Sequence, residues 1–298
     1  MEHSTHDHNP VKLSVIIVAY YSRELIDDCI RSVWQYNDLG PEELEILVVE
    51  NSPEEEANAM REYLNENYGK GVRLLVNDGN RGYGSGNNLG ISNSQGSIVA
   101  VMNPDIRLTE PLFGDALARF GADTELGVLG YKQKGNRDIS FYLNPELYFP
   151  VFRTVVEITT NRLNIYLQKY FYLSGAFMLF DKEKFTAAGS YDESIFLYFE
   201  EPDIIRRMHA LNYRVQYCKQ KSYMHLIDGR IGFSVRAFRV LISSLRYYLN
   251  KHGFKEDWVI KRMRMEYKLK RTIARLTGRT ELFKLMNETI AVVDESRN

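Results

Sequence analysis

Alternation between apolar runs and helix-like segments along the first 130 residues is the feature that most restricts the fold of this chain. Four short apolar runs have the character of buried strands, namely Leu13–Val18, Leu44–Val49, Val72–Val76 and Ile98–Met102. Between the first two runs, the apolar residues of Arg23–Tyr36 recur at helical spacing. Such alternation predicts an α/β fold, with a parallel sheet built from βαβ units and helices on its faces.

The remainder of the chain is less regular. Further strands are predicted at Leu126–Gly130, Tyr172–Phe180 and Arg214–Cys218. Further helices are predicted at Glu200–Leu211, 233–250 and 256–277. The intervening stretch 131–170 is rich in Tyr and Phe, and we interpret it as a long variable loop with some helix near Val155–Tyr170.

Composition narrows the class of protein. Hydrophobic residues make up 44% and charged residues 26% of the 298 residues, as in soluble globular proteins. The two cysteines form neither a disulfide framework nor a CxxC metal site, which indicates a reducing compartment. No apolar run approaches the roughly 20 residues of a membrane span, and the polar first ten residues are no secretory signal. We therefore expect a cytoplasmic protein with a disordered tail over residues 1–11.

Charge is distributed unevenly along the chain. Residues 230–298 carry 16 Lys and Arg against 7 Asp and Glu, whereas residues 1–229 carry 22 basic against 32 acidic residues. Between Phe233 and Arg246, apolar residues alternate with arginines, so 230–298 is predicted to be a basic amphipathic helical extension. Two interpretations stay open: peripheral contact of 233–277 with the inner face of a cell membrane, or a helical cap that packs on the body or pairs protomers. No nucleic-acid motif is present, so a nucleic-acid partner is not expected.

A carboxylate at a predicted strand end is the first candidate for chemistry. Pro104 cannot donate to a sheet ladder, so the strand should stop near Asn103 and leave Asp105 at the carboxyl edge of the sheet. Ligands bind at this edge in open α/β sheets, and an acidic side chain there can hold a divalent metal that carries a diphosphate. The competing interpretation is an ordinary Asn-Pro-Asp turn. The lone His225, after a short strand, is either structural or a partner of Asp105.

Three further candidates for binding or catalysis are the paired ends of the first two strands, a glycine-rich loop and an acidic run. The first two strands end at Ala19-Tyr20 and at Glu50, whose carboxylate either accepts the N3–H of a uracil or thymine or caps the following helix. The glycine-rich loop 77–88 lets the backbone approach a ligand, and the helix after it offers free N–H groups to a diphosphate. Because this loop follows the third predicted strand, it does not fit a dinucleotide-binding fingerprint.

The third segment is the acidic run Glu200-Glu201-Pro202-Asp203. Pro202 suits the first helical position, which predicts Glu201 as the N-cap, and Glu200 and Asp203 should fall near one another. Crowded carboxylates raise each other's pKa, while a helix N-terminus lowers it. Such a group can take a proton from a hydroxyl; the alternative is an acidic helix start that only stabilises the helix dipole.

In this order, the motifs resemble those of the family 2 inverting glycosyltransferases, particularly the rhamnosyltransferase-like members. The segments that carry the resemblance are Ser14–Tyr20, Val48–Ser52, Asn80–Ile91, Asn103–Asp105, Leu173–Met178, Phe185–Asp192 and Glu200–Asp203. The resemblance implies a GT-A fold over 12–229, with a mostly parallel nucleotide-binding sheet flanked by helices, followed by the helical extension. It also implies an enzyme that moves a hexose such as rhamnose, with Mn²⁺ or Mg²⁺ as cofactor.

The partners and site residues follow from the same resemblance. The donor would be dTDP-rhamnose or a UDP-sugar, and the acceptor a saccharide or lipid-linked saccharide in cell-surface polysaccharide synthesis. The donor-binding residues would be Ala19, Tyr20, Glu50, Asn80, Gly82, Gly86, Asn87, Asn103 and Asp105. The acceptor side would be formed by Ser174, Gly175 and Ala176. Asp105 and His225 would be the metal ligands, and Glu201 the catalytic base, with Glu200 and Asp203 orienting it or the acceptor.

Three departures from the family pattern restrict this picture. Glu50 and Glu201 stand where the family has aspartates, so both carboxylates have longer reach. Asn103 leaves the metal motif with one carboxylate, Asp105, so the metal should be held mainly together with the donor phosphates. Two other functions stay open: a nucleotidyltransferase on a related sheet, and a non-catalytic nucleotide-sugar-binding module.

Overall fold

The computed structural model describes residues 11–135, 138–150, 152–226 and 234–295. All but the last residue of the tail predicted over 1–11 lies outside the described residues, as does the predicted boundary between residues 229 and 230. The strands are β1 (Leu13–Ala19), β2 (Leu44–Glu50), β3 (Arg73–Val76), β4 (Ile98–Met102), β5 (Ile106–Leu108), β6 (Leu126–Lys134), β7 (Phe141–Leu143), β8 (Phe171–Leu173), β9 (Phe177–Asp181) and β10 (Arg214–His225). The helices are α1 (Arg23–Gln35), α2 (Glu54–Tyr68), α3 (Tyr83–Ser92), α4 (Phe113–Ala122), α5 (Phe152–Leu163), α6 (Lys182–Ala187), α7 (Glu200–Ala210), α8 (Val235–Lys251), α9 (Glu256–Leu276) and α10 (Thr280–Glu295).

The main sheet has eight strands in the order β3-β2-β1-β4-β9-β6-β10-β5. Its first four strands are parallel, as the alternation predicted, and β10 is parallel to β6. β9 runs antiparallel to both of its neighbours, and β5 runs antiparallel to β10. The predicted α/β sheet flanked by helices is therefore confirmed, with antiparallel strands in the half that the alternation did not cover.

Helices cover both faces of this sheet, because strand β1 carries large apolar side chains on each of its faces. β1 is buried along its whole length, with Val15 and Ile17 on one face and Ile16 and Val18 on the other. The first face packs against α1, α2 and α4, and the second against α3, α6 and α7. This three-layer arrangement places the ends of β1, β2 and β4 along one edge of the sheet.

Three predicted elements differ from the structure. The run Tyr172–Phe180 divides into β8, which pairs with β7 in a separate two-stranded sheet, and β9 of the main sheet. The helix between residues 131 and 170 is α5, which begins and ends earlier than predicted. The strand predicted at Arg214–Cys218 continues to His225, since it passes an irregularity between Cys218 and Ser222 and then pairs with β5 as well as β6.

The C-terminal extension contains α8 and α9, as predicted, and the additional helix α10. The apolar face of α8, with Phe238, Ile242 and Leu245, is buried in a core with residues of α9 and α10. Tyr148 from the body of the protein belongs to the same core. α8 is therefore a cap, and its apolar face is not available to a bilayer. In the described part of the chain, no helix has the length and hydropathy needed to cross a membrane.

Candidate active site

Strand pairing brings Asp105 and His225 together, although 120 residues separate them in the chain. β10 pairs with β5 so that His225 lies opposite Ile106, and the Leu226 amide donates to the Asp105 carbonyl at 3.0 Å. The Nε2 atom of His225 lies 3.1 Å from Oδ2 of Asp105. The other carboxylate oxygen, Oδ1, is buried and has no hydrogen-bond partner among the described residues.

This pair fits a divalent cation. A buried carboxylate oxygen without a partner, beside an imidazole, matches the oxygen and nitrogen ligands that Mn²⁺ accepts; Mg²⁺ relies more on oxygen. Within the residues that the structure describes, no group of three or more His, Cys, Asp or Glu could hold a metal ion. Among the described residues, Asp105 and His225 are thus the pair that could act as ligands.

The two adjacent glutamates begin α7. Phe199 is the N-cap, in the left-handed conformation with φ 72°, and Glu200 and Glu201 are already helical. The prediction of Glu201 as the cap is therefore wrong, because Pro202 occupies the third helical position rather than the first. Both carboxylates consequently belong to the first turn of α7.

A cavity of about 530 Å³ opens beside this helix start. Seven predicted site residues border it: Asn103, Ser174, Gly175, Ala176, Glu200, Glu201 and His225. The other predicted residues lie outside its lining: Ala19, Tyr20, Glu50, Asn80, Gly82, Gly86, Asn87, Asp105 and Asp203. The cavity thus joins the carboxylates of α7 to Asn103 and to His225, the neighbour of Asp105.

The turn between β8 and β9 connects these two parts of the cavity. A Cβ on Gly175 would lie 1.8 Å from Oε1 of Glu201, so the carboxylate rests directly on this glycine. The Tyr83 hydroxyl donates to the Gly175 carbonyl at 2.9 Å. The backbone N–H of Asn103 donates to the Ala176 carbonyl, also at 2.9 Å. One short turn therefore fixes the glutamate relative to the end of β4.

Burial controls the protonation of both glutamates. It raises the pKa of Glu201 to about 7. It raises the pKa of Glu200 well above the ordinary value, and the neighbouring charge of Glu201 adds to this effect. Oε1 of Glu200 is buried and accepts no hydrogen bond from the described residues. Of the two carboxyl groups, Glu201 is therefore the one whose environment opposes ionisation less.

Asp203 faces away from the cavity, toward the C-terminal helices. Its buried carboxylate lies 2.7 Å from Arg207 Nη2, 2.7 Å from Lys251 Nζ and 2.8 Å from His252 Nε2. Burial opposes its ionisation, but hydrogen bonds from His252 and Lys251 and the charge of Arg207 lower its pKa overall. Asp203 thus ties α7 to the end of α8, and no contact of its side chain supports a direct orienting role.

The strand ends predicted to bind the donor lie next to one another. Ala19 and Glu50 are register partners at the carboxyl ends of β1 and β2, and Tyr20 is exposed beside them. Glu50 itself is buried, its Oε1 accepts the Ser52 amide at 2.9 Å, and burial raises its pKa. Tyr20 is therefore accessible to a ligand, whereas Glu50 is enclosed by its own loop.

Packing explains both predicted glycines, Gly82 at the N-cap of α3 and Gly86 inside this helix. Gly82 has φ 98°, and a Cβ there would lie 2.2 Å from the Phe196 carbonyl oxygen. A Cβ on Gly86 would lie 2.9 Å from Cγ1 of Val18. The Tyr83 amide, the first of α3, donates to Phe196. The Tyr83 amide is therefore not among the free N–H groups expected at this helix start, and the close approaches of both glycines are to protein.

The two asparagines predicted in this loop have different environments. Asn80 is exposed, and its Oδ1 accepts the Gly82 amide at 3.1 Å, which closes the turn. Asn87 is fully buried, and its Nδ2 donates to the Tyr83 carbonyl at 3.0 Å. Its Oδ1 accepts no hydrogen bond from the described chain. Asn80 is thus the accessible member of the pair.

The remaining cavity walls were not predicted. They come from α3, from β7, from the segment that leads into α5 and from the C-terminal helices, and include Tyr83, Tyr142, Tyr148, Arg153, Leu241, Leu245, Met263 and Tyr267. Tyr83 lay between two glycines of a candidate segment, and Tyr142, Tyr148 and Arg153 belong to the variable stretch 131–170, which the sequence favours as part of the acceptor site without naming single residues. Nothing in the spacing of the other residues connects them with a site.

Comparisons with known proteins agree with this geometry. Residues 14–188 match the model of Glycosyl transferase family 2. The chain is 24% identical over 220 residues to the low-salt glycan biosynthesis hexosyltransferase Agl10 of Haloferax volcanii. That match covers 72% of this chain and 66% of the relative, so the chain spans less than two thirds of the relative's length.

Solved structures share the fold. The mannosyltransferase PcManGT of Pyrobaculum calidifontis, in complex with GDP-Man and Mn²⁺, has a TM-score of 0.59 at 14% identity, over 96% of this chain and 86% of that chain. TarS 1–349 of S. aureus, in complex with UDP-GlcNAc, has a TM-score of 0.55 at 15% identity, over 95% and 82%. The family match extends over more than half of the chain, and the fold is GT-A-like. The chain therefore belongs to glycosyl transferase family 2.

Proposed function

We propose that this chain transfers a hexose from a nucleotide-diphosphate sugar to an acceptor hydroxyl by a single, inverting displacement. The observation that carries the proposal is the cavity bordered by Glu201 on one side and by Asn103 and His225 on the other. Family membership supports it, as does the name of the Haloferax relative, a hexosyltransferase.

Asp105 and His225 would hold Mn²⁺ or Mg²⁺ at the donor diphosphate. The unpartnered Oδ1 of Asp105 supports this assignment, and PcManGT was solved with Mn²⁺ and GDP-Man. When bound there, the cation neutralises charge on the leaving group. Since only one of the two residues is a carboxylate, we expect the cation to bind together with the nucleotide sugar.

Glu201 would act as the general base. Its oxygen takes the proton of the acceptor hydroxyl while the acceptor oxygen bonds to the anomeric carbon and the bond to the diphosphate breaks. A base with a pKa near the working pH combines the ionised state with adequate proton affinity, and burial gives Glu201 this property. Gly175 holds its carboxylate in place, and the neutral Glu200 avoids a second buried charge.

The donor's base and sugar are assigned by resemblance. dTDP-rhamnose or a UDP-sugar fits a site with Tyr20 exposed and Glu50 near the ends of β1 and β2. A saccharide or lipid-linked saccharide of cell-surface polysaccharide synthesis, at the inner face of the membrane, is the corresponding acceptor. The aromatic walls of the cavity support a sugar acceptor, because sugar rings pack well on aromatic side chains.

A thermal-shift screen tests this function. The full chain is heated with dTDP-rhamnose, UDP-glucose, UDP-GlcNAc or GDP-mannose, each with and without Mn²⁺. Since a ligand of the folded state stabilises it by mass action, the correct donor should raise Tm, and more so with Mn²⁺. Release of nucleotide diphosphate from that donor then reports turnover. Donor binding without release, under any acceptor or metal condition, would instead identify a non-catalytic nucleotide-sugar-binding module.

A further inference from the structure

Helix α9 presents two different faces. Met263 and Tyr267 line the cavity, whereas Met265, Leu269 and Ile273 are about half exposed and Leu276 is 80% exposed. Trp258, which is 39% exposed, precedes Met265 by seven residues. The later exposed residues follow one another after four, four and three residues. Residues at such spacings share one side of a helix. We call Trp258, Met265, Leu269, Ile273 and Leu276 the apolar stripe.

Aromatic residues outside α9 extend the apolar stripe at its N-terminal end. The Phe149 ring lies 6.0 Å from the Trp258 ring, between centroids, and the Arg262 guanidinium lies 3.4 Å from the Trp258 centroid. Phe152, at the start of α5, is 70% exposed, and Val155 follows it at 57%. Large exposed apolar side chains grouped in this way mark an interaction surface.

The charged residues along the apolar stripe are mainly positive, and the exposed Asp257 at its N-terminal end is acidic. Lys261, Lys268 and Arg275 lie along α9 without an ion-pair partner in the described part of the chain. By contrast, Arg264 and Lys270 of the same helix pair with Asp294 and Glu266. Apolar side chains bordered by free cations are the arrangement by which amphipathic helices bind anionic lipid surfaces.

A second copy of the chain fits this surface less well. In a two-fold dimer each patch faces itself, so the free cations of α9 would approach their own counterparts. The same cations complement the negative headgroups of a bilayer. The charge pattern therefore favours a lipid surface over self-association.

The apolar stripe also lies close to the cavity. α9 carries Tyr267 toward the cavity and Leu269 toward the outside, and α5 carries Arg153 toward the cavity and Phe152 outside. The two surfaces are therefore separated by about one helix diameter, on the order of 10 Å. An acceptor with its lipid in a bilayer could present its sugar end at the cavity.

We propose that the apolar stripe, with Phe149 and Phe152, docks this chain on the surface of an anionic lipid bilayer. Trp258, Leu269 and Leu276 would enter the headgroup region, while Lys261, Lys268 and Arg275 contact lipid phosphates. The surface differs from the apolar side of α8, which is buried. The lipid-linked acceptor rests on the proposed function, whereas bilayer binding by the apolar stripe does not.

Vesicle flotation with the full chain tests the docking surface. Vesicles of phosphatidylcholine with phosphatidylglycerol should bind the protein, and pure phosphatidylcholine vesicles should bind it far less. The triple variant Leu269→Gln, Ile273→Gln, Leu276→Gln should weaken binding about tenfold or more, because each change removes apolar area from the lipid contact. The triple variant Lys261→Gln, Lys268→Gln, Arg275→Gln should weaken it by about a hundredfold at low salt.

Matched controls separate the surface from general effects. The triple variant Arg61→Gln, Lys70→Gln, Lys219→Gln removes the same charge elsewhere, and Leu211→Gln removes an exposed apolar residue elsewhere. Both should bind vesicles as the native chain does. Failure of the native chain to bind anionic vesicles, or equal binding by the α9 variants, would overturn the docking surface. A native dimer that the Leu269 triple variant dissociates, without vesicle binding, would assign the apolar stripe to a second copy instead.

Catalysis and docking fail separately in these experiments. Glu201→Gln should float with anionic vesicles as the native chain does. The Leu269 triple variant should still release nucleotide diphosphate from donor with a water-soluble acceptor. If the native chain binds anionic vesicles but neither it nor any of these variants turns over a donor, the proposed function is disproved and the docking surface is not affected.

Discussion

Gly175 and the Glu201 carboxylate are in direct contact, so close that a Cβ on Gly175 would lie 1.8 Å from Oε1. The glycine is required here by the space that the carboxylate occupies and not by a left-handed backbone. The contact therefore defines where the proposed base can be.

Gly175→Ala should abolish sugar transfer while the chain still folds. The added methyl displaces the Glu201 carboxylate, and a misplaced base loses much of its contribution, which is about 10²–10⁴-fold for general bases. Initial rates of nucleotide diphosphate release measure the loss. Gly121→Ala is the matched control, because nothing lies within 4 Å of its added Cβ in α4. Unchanged transfer by Gly175→Ala would contradict the placement of Glu201.

Glu201→Gln should lower turnover by about 10²–10⁴-fold, because the amide cannot accept the acceptor proton. Donor binding, measured as the Tm rise with donor and Mn²⁺, should not change. Glu200→Gln should keep turnover within a few-fold, since burial and the charge of Glu201 favour the protonated form of Glu200. The reverse pattern, with Glu200→Gln inactive, would move the base to Glu200.

Turnover should rise with pH and level off above about pH 7, as Glu201 ionises. Initial rates at saturating donor across this range test the prediction.

The free energy of unfolding should change in the opposite direction and fall as pH rises. Both folded-state pKa values exceed the ordinary 4.5, so their stabilising effect is complete below 4.5 and lost as pH rises through the folded values.

Glu200→Gln isolates the stability effect. Its Tm advantage over the native chain should grow from pH 5 toward pH 8, because Gln carries no charge to bury. A constant difference across this range would show that Glu200 does not keep a raised pKa.

Asp105→Asn and His225→Ala should each remove the Mn²⁺-dependent part of the donor-induced Tm rise. Each change deletes one of the two proposed ligands. The described residues offer no third His, Cys, Asp or Glu at this site that could replace it. Calorimetric titration with Mn²⁺ should show tight binding only when nucleotide is present. Tight Mn²⁺ binding by the native chain alone would contradict the two-ligand site.

Asp203→Asn should destabilise the fold by about 3–5 kcal/mol, as expected when one member of a buried ion-pair group is removed. The change leaves Arg207, Lys251 and His252 without their shared anion. Urea unfolding measures the loss. Asp123→Asn is the control, because its pair with the exposed Arg214 should contribute about 0–1 kcal/mol. Equal losses from the two changes would show that the buried carboxylate of Asp203, with its three partners, contributes no more to stability than an exposed ion pair.

Local pattern was sufficient for the sheet as far as β4 and for the positions of Asp105 and Glu201. Apolar runs such as Ile98–Met102 identify buried strands, and Pro104 marks where that strand stops. The pairing of β5 with β10 was not predictable, because it joins residues 106 and 225 across the chain. The predicted meeting of His225 with Asp105 therefore needed the structure.

Other features were hidden by tertiary contacts. Tyr172–Phe180 looks like one strand because apolar residues stand on both sides of Ser174-Gly175, yet the chain turns there beneath Glu201. The N-cap of α7 was misplaced because Phe199 adopts a left-handed conformation that no sequence rule assigns to phenylalanine. Two of the three partners of Asp203, Lys251 and His252, lie near residue 250, beyond the reach of any spacing rule.

The Asp203 group has a consequence for building hybrids with related glycosyltransferases. Two of the three groups that face this buried carboxylate, Lys251 and His252, belong to the end of α8. An exchange of α8–α10 for the helices of a relative would leave the Asp203 carboxylate without these two partners. The exception is a relative whose helices place a lysine and a histidine at the positions of Lys251 and His252. We therefore expect folded chimaeras to require this lysine and histidine. Substitution of single side chains of α8 and α9 that face the cavity should be the easier way to alter acceptor choice.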